Sequence, residues 1–146
     1  MTARPLIGVG VVVLKTTAHG PQVLLIKRGR PPREGQWSLP GGRQELGETV
    51  RETAIREVRE EAGVEIADLR LIDVVDSITA DPAAPAGPPL YHYTLVDFAA
   101  RWTAGEPRPG DDAIDACWAD PADLDGFALW EETVRVITAA CKPALP

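Results

Sequence analysis

Residues Gly42 to Val64 read GRQELGETVRETAIREVREEAGV, and both the fold and the chemistry of the chain turn on this stretch. Glu57, Glu60 and Glu61 stand three and four residues apart in a segment whose apolar positions, Val50, Ala54, Ile55, Val58 and Ala62, recur at helical spacing. At about 100° per residue the three carboxylates span an arc of roughly 100°, beside the apolar stripe and not behind it. Acidic groups at the edge of a buried stripe line a cleft next to the core, where their mutual repulsion is poorly screened. A bound Mg²⁺ or Mn²⁺ relieves that repulsion, because these hard cations take oxygen ligands.

The same letters also suit a solvated helix laced with ion pairs. Glu52 and Arg56, and Arg56 and Glu60, are four apart, a spacing that supports exposed helices by about 0.2–0.5 kcal/mol per pair. The flanks decide between the two readings. Ser38-Leu39-Pro40-Gly41-Gly42 precedes the segment, with a double glycine where backbone can approach closely. Thr49 and Glu52 have the spacing of a capping box, and Gly63 suits the left-handed position that ends a helix. The segment is therefore a loop, a helix and a stop of defined length.

The spacing resembles the signature box of the Nudix hydrolases at all nine fixed positions: Gly42, five free residues, Glu48, seven free, Arg56-Glu57-Val58, one free, Glu60-Glu61, one free, Gly63-Val64. The similarity extends to Trp37-Ser38-Leu39-Pro40-Gly41-Gly42 ahead of the box and to the order of strands along nearly the whole chain. The resemblance implies a metal-dependent hydrolase that cleaves the pyrophosphate linkage of a nucleoside diphosphate joined to another group. It implies Glu57, Glu60 and Glu61 as metal ligands, with the Gly42 carbonyl as a further one, and Arg56 with Glu48 as the pair that orients the site. The expected cofactor is Mg²⁺ or Mn²⁺. The expected reaction is in-line attack of water on one phosphorus of the diphosphate, with the carboxylates holding the cations that balance its charge.

Length and composition agree. The 146 residues fit one domain, residues 1–146, that buries about two-thirds of its unfolded surface. A net charge of −7 and a pI near 4.8 argue against a nucleic-acid polymer as partner, which requires a basic stripe. Small phosphorylated molecules stay open, since bridging cations supply positive charge. Cys117 and Cys141 form no CxxC and no disulfide framework, which points to a reducing cytoplasm. The apolar run Leu6 to Leu14 has the length of a secretion signal's core, but it is rich in valine and glycine, lacks a following cleavage site, and is succeeded by the turn Ala18-His19-Gly20-Pro21 and a second run, Val23-Leu24-Leu25-Ile26. Two strands joined by a turn account for both runs. No stretch approaches the ~20 apolar residues of a membrane span. A homodimer is compatible with this reading.

Strands are expected near residues 6–15, 22–28, 37–39, 69–79, 90–103 and 114–119, and helices near 49–62 and 129–141. Leu129, Thr133, Val136, Ile137 and Ala140 give the second helix a one-sided apolar face. Strands neither strictly alternating nor uniformly apolar, with helices between and after them, indicate a mixed sheet covered on both faces. The fold class is α/β, an α/β/α sandwich as in the resembled family. Residues 80–89 (ADPAAPAGPP) form a stiff irregular loop, read as a connector or a lid.

Two further clusters concern the substrate. Lys27, Arg28, Arg30 and Arg33 place four basic residues in seven at a strand end, where arginine forks match phosphate oxygens, and Arg28 and Arg30 are the expected phosphate binders. Asp111 and Asp112 follow Pro109-Gly110 in a late loop. They are either turn residues or, since members of the resembled family often carry an additional late carboxylate, a further ligand, base or substrate contact; Asp112 is taken as substrate-binding. His19 and His92 are isolated, and Trp37, Tyr91, Tyr93 and Trp102 are either core residues or stacking platforms. ADP-ribose or another nucleoside diphosphate sugar is the first expected substrate class. A departure qualifies this: ADP-ribose-specific members tend to carry a proline about 16 positions past the box, and here that position is Ala80. A pyrophosphatase clearing damaged nucleoside triphosphates and a non-catalytic nucleotide-binding module are the alternatives.

Overall fold

The computed structural model describes residues 4–31 and 33–142. Pro32 of the basic cluster and the two ends of the expected 1–146 domain lie outside the described residues. Strands β1 (Leu6–Thr17), β2 (Gly20–Arg28), β3 (Trp37–Ser38), β4 (Gly41–Arg43), β5 (Glu65–Thr79), β6 (Tyr91–Ala104) and β7 (Ala113–Ala119) form one sheet, with helix α1 (Val50–Ala62) and helix α2 (Glu131–Cys141).

The hydrophobic pattern explains the layers. In β1 the residues Val9, Val11 and Val13 pack with Leu24, Ile26 and Phe98 against Ala54, Val58 and Ala62 of α1. Val12, between them, joins Val23, Leu25 and Ala99 against Val136, Ile137 and Ala140 of α2. Period-two alternation with both faces covered makes these strands read as continuous apolar runs, and it produces the α/β/α sandwich. The run Leu6 to Leu14 is thus a central strand, hairpinned to β2 through Thr17 and Gly20.

The sheet is mixed. β1 pairs parallel with β6, from Leu6 opposite Tyr93 to Leu14 opposite Arg101, and every other pairing is antiparallel. On its other edge β1 meets β4 through Gly8, Val9 and Gly10, then β2 from Leu14 onward. β2 leaves β1 after Val23 and pairs β3 at Ile26 and Lys27. The segment from β3 to β4 therefore fills the fork between β1 and β2, and the Val11 amide donates to the Pro40 carbonyl there at 3.0 Å. That fork carries the glycine loop to the sheet centre, next to α1.

Several boundaries differ from expectation. The short strand Gly41–Arg43 is a tertiary product, since three residues of glycine and arginine hold no strand signal. β5 starts at Glu65, directly after the α1 stop, and tolerates the early polar stretch through register shifts around residues 65–73, with Asp68 at φ 56°. α2 begins at Glu131 and not at residue 129; Leu129 packs against the α2 core from the preceding segment, which includes a 3₁₀ turn at Asp125–Phe127. Thr49 caps α1 through a complete capping box, and Gly63 ends it at φ 72°. Because Glu52 turns back to the Thr49 amide at 3.0 Å, the expected Glu52–Arg56 pair is replaced by that cap. Among the described residues no helix is long and apolar enough to cross a membrane, and both cysteines are free.

Candidate active site

α1 presents its glutamates at the mouth of the fork. Glu57 and Glu61 retain only 9% and 6% exposure, whereas Glu60 faces solvent. One oxygen each from Glu57, Glu60 and Asp111 lie within 4.8 Å of one another. Glu61 is outside that group: its Oε1 accepts the Gly41 amide at 2.7 Å, fastening the glycine loop to the helix. Gly42 backs directly onto the Glu57 carboxyl, and a Cβ at that position would strike it. The loop thus lies against two of the three expected ligands, and no side chain fits between.

Burial pushes the Glu57 carboxyl above the ordinary range, with Arg56 opposing the shift and Glu60 and Asp111 adding to it. Burial also pushes Glu61 up to about 7; the Gly41 amide and Arg28 pull the other way, and Glu57 and Asp111 reinforce it. Carboxyls held above their ordinary pKa by desolvation and by each other are stabilised by a cation, and all the donor atoms are hard oxygens. The residues present therefore fit Mg²⁺ or Mn²⁺.

Arg56 organises the surroundings. Its Nη1 donates to Glu57 Oε1 at 2.7 Å and to Glu60 Oε2 at 3.1 Å, its Nη2 to the Arg43 carbonyl at 3.1 Å, and it grips Glu48. Hydrogen bonds from Arg56, then from the Glu45 amide and the Thr53 hydroxyl, hold Glu48 down near a pKa of about 2. The same contacts raise Arg56 further above its already high value. Arg56 and Glu48 are thus a fixed, charged strut between the loop and the helix.

Asp111 reaches the glutamates because its loop wraps the C-terminal end of α1. The Arg108 amide donates to the Ala62 carbonyl and the Gly110 amide to the Glu61 carbonyl, each at 3.0 Å. These bonds satisfy carbonyls that a helix end otherwise leaves open. Asp111 takes a left-handed φ of 50°, which aspartate tolerates better than most residues. Its neighbour Asp112 turns instead toward Arg30, with Arg30 Nε 2.8 Å from Asp112 Oδ1, so two expected substrate contacts engage one another. The Gly-Asp-Asp letters were a visible signal, but only the tertiary wrap tells which aspartate joins the glutamates.

One cleft of about 700 Å³ takes in these groups: Glu57, Glu61, Gly42 and Asp111 on one wall, Arg28, Arg30 and Asp112 beside them. It continues over the α2 side of the sheet to Tyr93 and Asp97. Of the aromatics, Trp37 packs edge-on against Phe127 and Trp102 edge-on against Trp118, as core residues do. Tyr93 lines the cleft, and Tyr91 starts β6. His19 lies exposed in the hairpin turn and His92 half-buried in β6, both away from the cleft lining.

The chain is similar to known proteins. A family model described as "NUDIX domain" matches residues 4–140. An "ADP-ribose pyrophosphatase" of Methanocaldococcus jannaschii is 36% identical over 113 residues, 77% of this chain and 63% of the relative. A "Putative 8-oxo-dGTP diphosphatase 2" of Mycobacterium tuberculosis is 38% identical over 116 residues, 78% of this chain and 75% of the relative. Among solved structures, the MutT NUDIX hydrolase from Burkholderia pseudomallei superposes with a TM-score of 0.75 at 30% identity, covering 93% of this chain and 98% of that one. The NUDIX domain of Shewanella oneidensis NrtR, solved with ADP ribose, superposes with a TM-score of 0.77 at 21% identity, covering 94% and 86%, which speaks to the fold alone. With a family match spanning nearly its whole length and a carboxylate cluster formed by two glutamates of the box helix and Asp111 of the late loop, this chain belongs to the Nudix hydrolases.

Proposed function

We propose that the chain hydrolyses the pyrophosphate linkage of a small nucleoside diphosphate derivative with the help of Mg²⁺ or Mn²⁺. The observation that carries this reading is the convergence of Glu57, Glu60 and Asp111 within 4.8 Å, with Glu57 and Asp111 lining a cleft that Arg28 and Arg30 also line. In this reading Glu57, Glu60 and Asp111 hold the cation, with Glu61, through the oxygen not given to Gly41, and the Gly42 carbonyl as further ligands. A divalent cation held by these residues would supply positive charge to the phosphate oxygens and lower the pKa of the attacking water. Arg28 grips the phosphate oxygens from the opposite side, and Arg30 does so once it releases Asp112. Arg56 and Glu48 act through the glutamates, fixing Glu57 and Glu60 before substrate arrives, so that no reorganisation is needed during the reaction.

ADP-ribose and other nucleoside diphosphate sugars form one candidate class, supported by the name of the Methanocaldococcus relative. A second reading, removal of damaged nucleoside triphosphates, is supported by the name of the Mycobacterium relative and by Ala80 at the position where ADP-ribose-specific members tend to have proline. The test is phosphate-product release from a panel holding ADP-ribose, other nucleoside diphosphate sugars, 8-oxo-dGTP and ordinary nucleoside triphosphates, with Mg²⁺ or Mn²⁺. Turnover of any diphosphate or triphosphate that stops on chelation supports the reading. Tight nucleotide binding without turnover across the panel overturns it in favour of a binding role.

A further inference from the structure

The cleft contains a third buried acid, one that the hydrolytic machinery does not use. Asp97 of β6 is only 6% exposed, yet it lines the cleft. In the register of the sheet it lies beside Gly10 of β1, which lies beside Gly41 of β4, the residue bonded to Glu61. Asp97 is thus two strand spacings, roughly 10 Å, from the backbone that carries the metal site. That separation is within the span of a nucleotide whose phosphates sit at the glutamates.

The surroundings are shaped around this carboxylate. Asp97 leans over Gly10, and a Cβ at Gly10 would strike its Oδ1. Gly8, two residues earlier on the same face, is buried and covered in the same way by Leu95, whose side chain a Cβ there would meet at 2.8 Å. Leu39, Leu95 and Tyr93 lie beside these two glycines and line the cleft with them, giving a slot with apolar neighbours and one acid, and these side chains settle onto the sheet only because Gly8 and Gly10 have none. The Gly10 backbone pulls the Asp97 carboxyl's pKa down, but by less than burial raises it. The neighbouring Arg135 is taken by Asp73, at 2.8 Å, and by Glu132, and among the described residues no ion pair engages Asp97. Burial, reinforced by Asp73, raises its pKa to about 6, so near neutral pH it is a largely ionised carboxylate with acceptor capacity in excess of its protein donors. A buried anion of this kind is costly unless a ligand brings N–H donors to it.

We propose that Asp97 is a specificity-determining residue that accepts the paired N–H groups, N1–H and the exocyclic amine, on the edge of a guanine-type base. This rests on the hydrolase reading for the placement of the phosphates, and within it ranks guanine nucleotides, with a sugar or a third phosphate beyond the diphosphate, ahead of ADP-ribose. Guanine offers two adjacent donors to a two-oxygen acceptor, whereas adenine offers one donor beside an acceptor, and hypoxanthine lacks the amine.

Nucleoside monophosphates hold no anhydride bond, so their binding tests this assignment apart from turnover. Calorimetry with Mg²⁺ is expected to show GMP and dGMP binding about tenfold or more tighter than IMP or AMP, and Asp97→Asn, which keeps the side-chain shape, is expected to erase that preference. Gly10→Ala, which displaces the carboxylate without removing it, is expected to lower the same preference, a readout that stands even if Asp97→Asn does not fold. Equal binding of GMP, IMP and AMP by the unmutated protein overturns the proposal, as does an equal loss for all bases in the variants. A loss in Asp97→Asn that appears with GMP and not with dGMP assigns Asp97 to the ribose hydroxyls and also overturns it. Base preference without turnover of any panel substrate removes the hydrolase reading and leaves Asp97 in place; turnover without base preference does the reverse.

Discussion

Arg56 holds the Glu48 carboxylate through two hydrogen bonds, Nε at 2.6 Å from Oε2 and Nη2 at 3.0 Å from Oε1. The planar fork leaves Nη1 aimed at Glu57 and Glu60, so one guanidinium ties the loop before α1 to two of the clustered acids. A lysine carries the charge but not the fork. Arg56→Lys is therefore expected to lower kcat by tenfold or more while leaving KM within about threefold, because the cluster loosens and the arginines proposed to bind phosphate do not. Equal loss in both parameters, or none in either, counts against a positioning role.

The carboxylate cluster predicts stabilisation by Mg²⁺ or Mn²⁺. At 100 times its dissociation constant a ligand adds about 2.7 kcal/mol, which in a chain of this size is a rise of roughly 5–10 °C in melting temperature. Thermal melts with and without millimolar metal, alone and with nucleotide, measure it. No shift under any of these conditions removes the cation site.

The two late aspartates give a sharper contrast. Asp111→Asn and Glu60→Gln are expected to cost 10² or more in kcat, the scale of deleting one preorganised electrostatic group. Asparagine also tolerates the left-handed φ of Asp111, so lost folding does not explain the effect. Asp112→Asn, which releases Arg30, is expected to change KM more than kcat. Steady-state kinetics on the three variants decides the assignment, and an Asp111→Asn enzyme of normal kcat sinks it.

Arg28 separates substrate binding from metal binding. Arg28→Ala is expected to raise KM about tenfold while the Mg²⁺ melting shift changes by less than a quarter, since in the proposed reading its contact is with phosphate oxygens. A metal shift that disappears together with substrate affinity means instead that Arg28 supports Glu61, which it attracts in the free protein.

Stability of the metal-free protein should have its maximum on the acid side of neutrality. Glu61, raised from 4.5 to about 7, and Asp97, raised from 3.8 to about 6, bind protons more tightly folded than unfolded. Their contribution is complete below the unfolded values and is lost as pH rises through about 6 to 7. Glu48 acts in the opposite sense: its pKa falls from 4.5 to about 2 on folding, so its contribution is present above 4.5 and is lost as pH drops toward 2. Melting temperatures in a chelator are expected to peak near pH 5, and Glu61→Gln is expected to flatten the decline toward pH 8. A melting temperature that climbs steadily from about pH 5 to pH 8 contradicts these assignments.

What the sequence determined by itself is what local geometry fixes. Thr49, Glu52 and Gly63 define where α1 starts and stops, and spacings of three and four put Glu57, Glu60 and Glu61 on one arc, because helical pitch does not depend on the rest of the protein. The apolar runs of β1 and β2 likewise announced buried strands. The tertiary structure alone decided which acids meet. Asp111 joins Glu57 and Glu60 across about fifty residues because open carbonyls at the end of α1 take amides from its loop, while Glu61 is drawn inward to the Gly41 amide. Asp97 comes to Gly10 across 87 positions because β1 and β6 pair in parallel, and no local spacing encodes a pairing that a crossover of intervening elements creates.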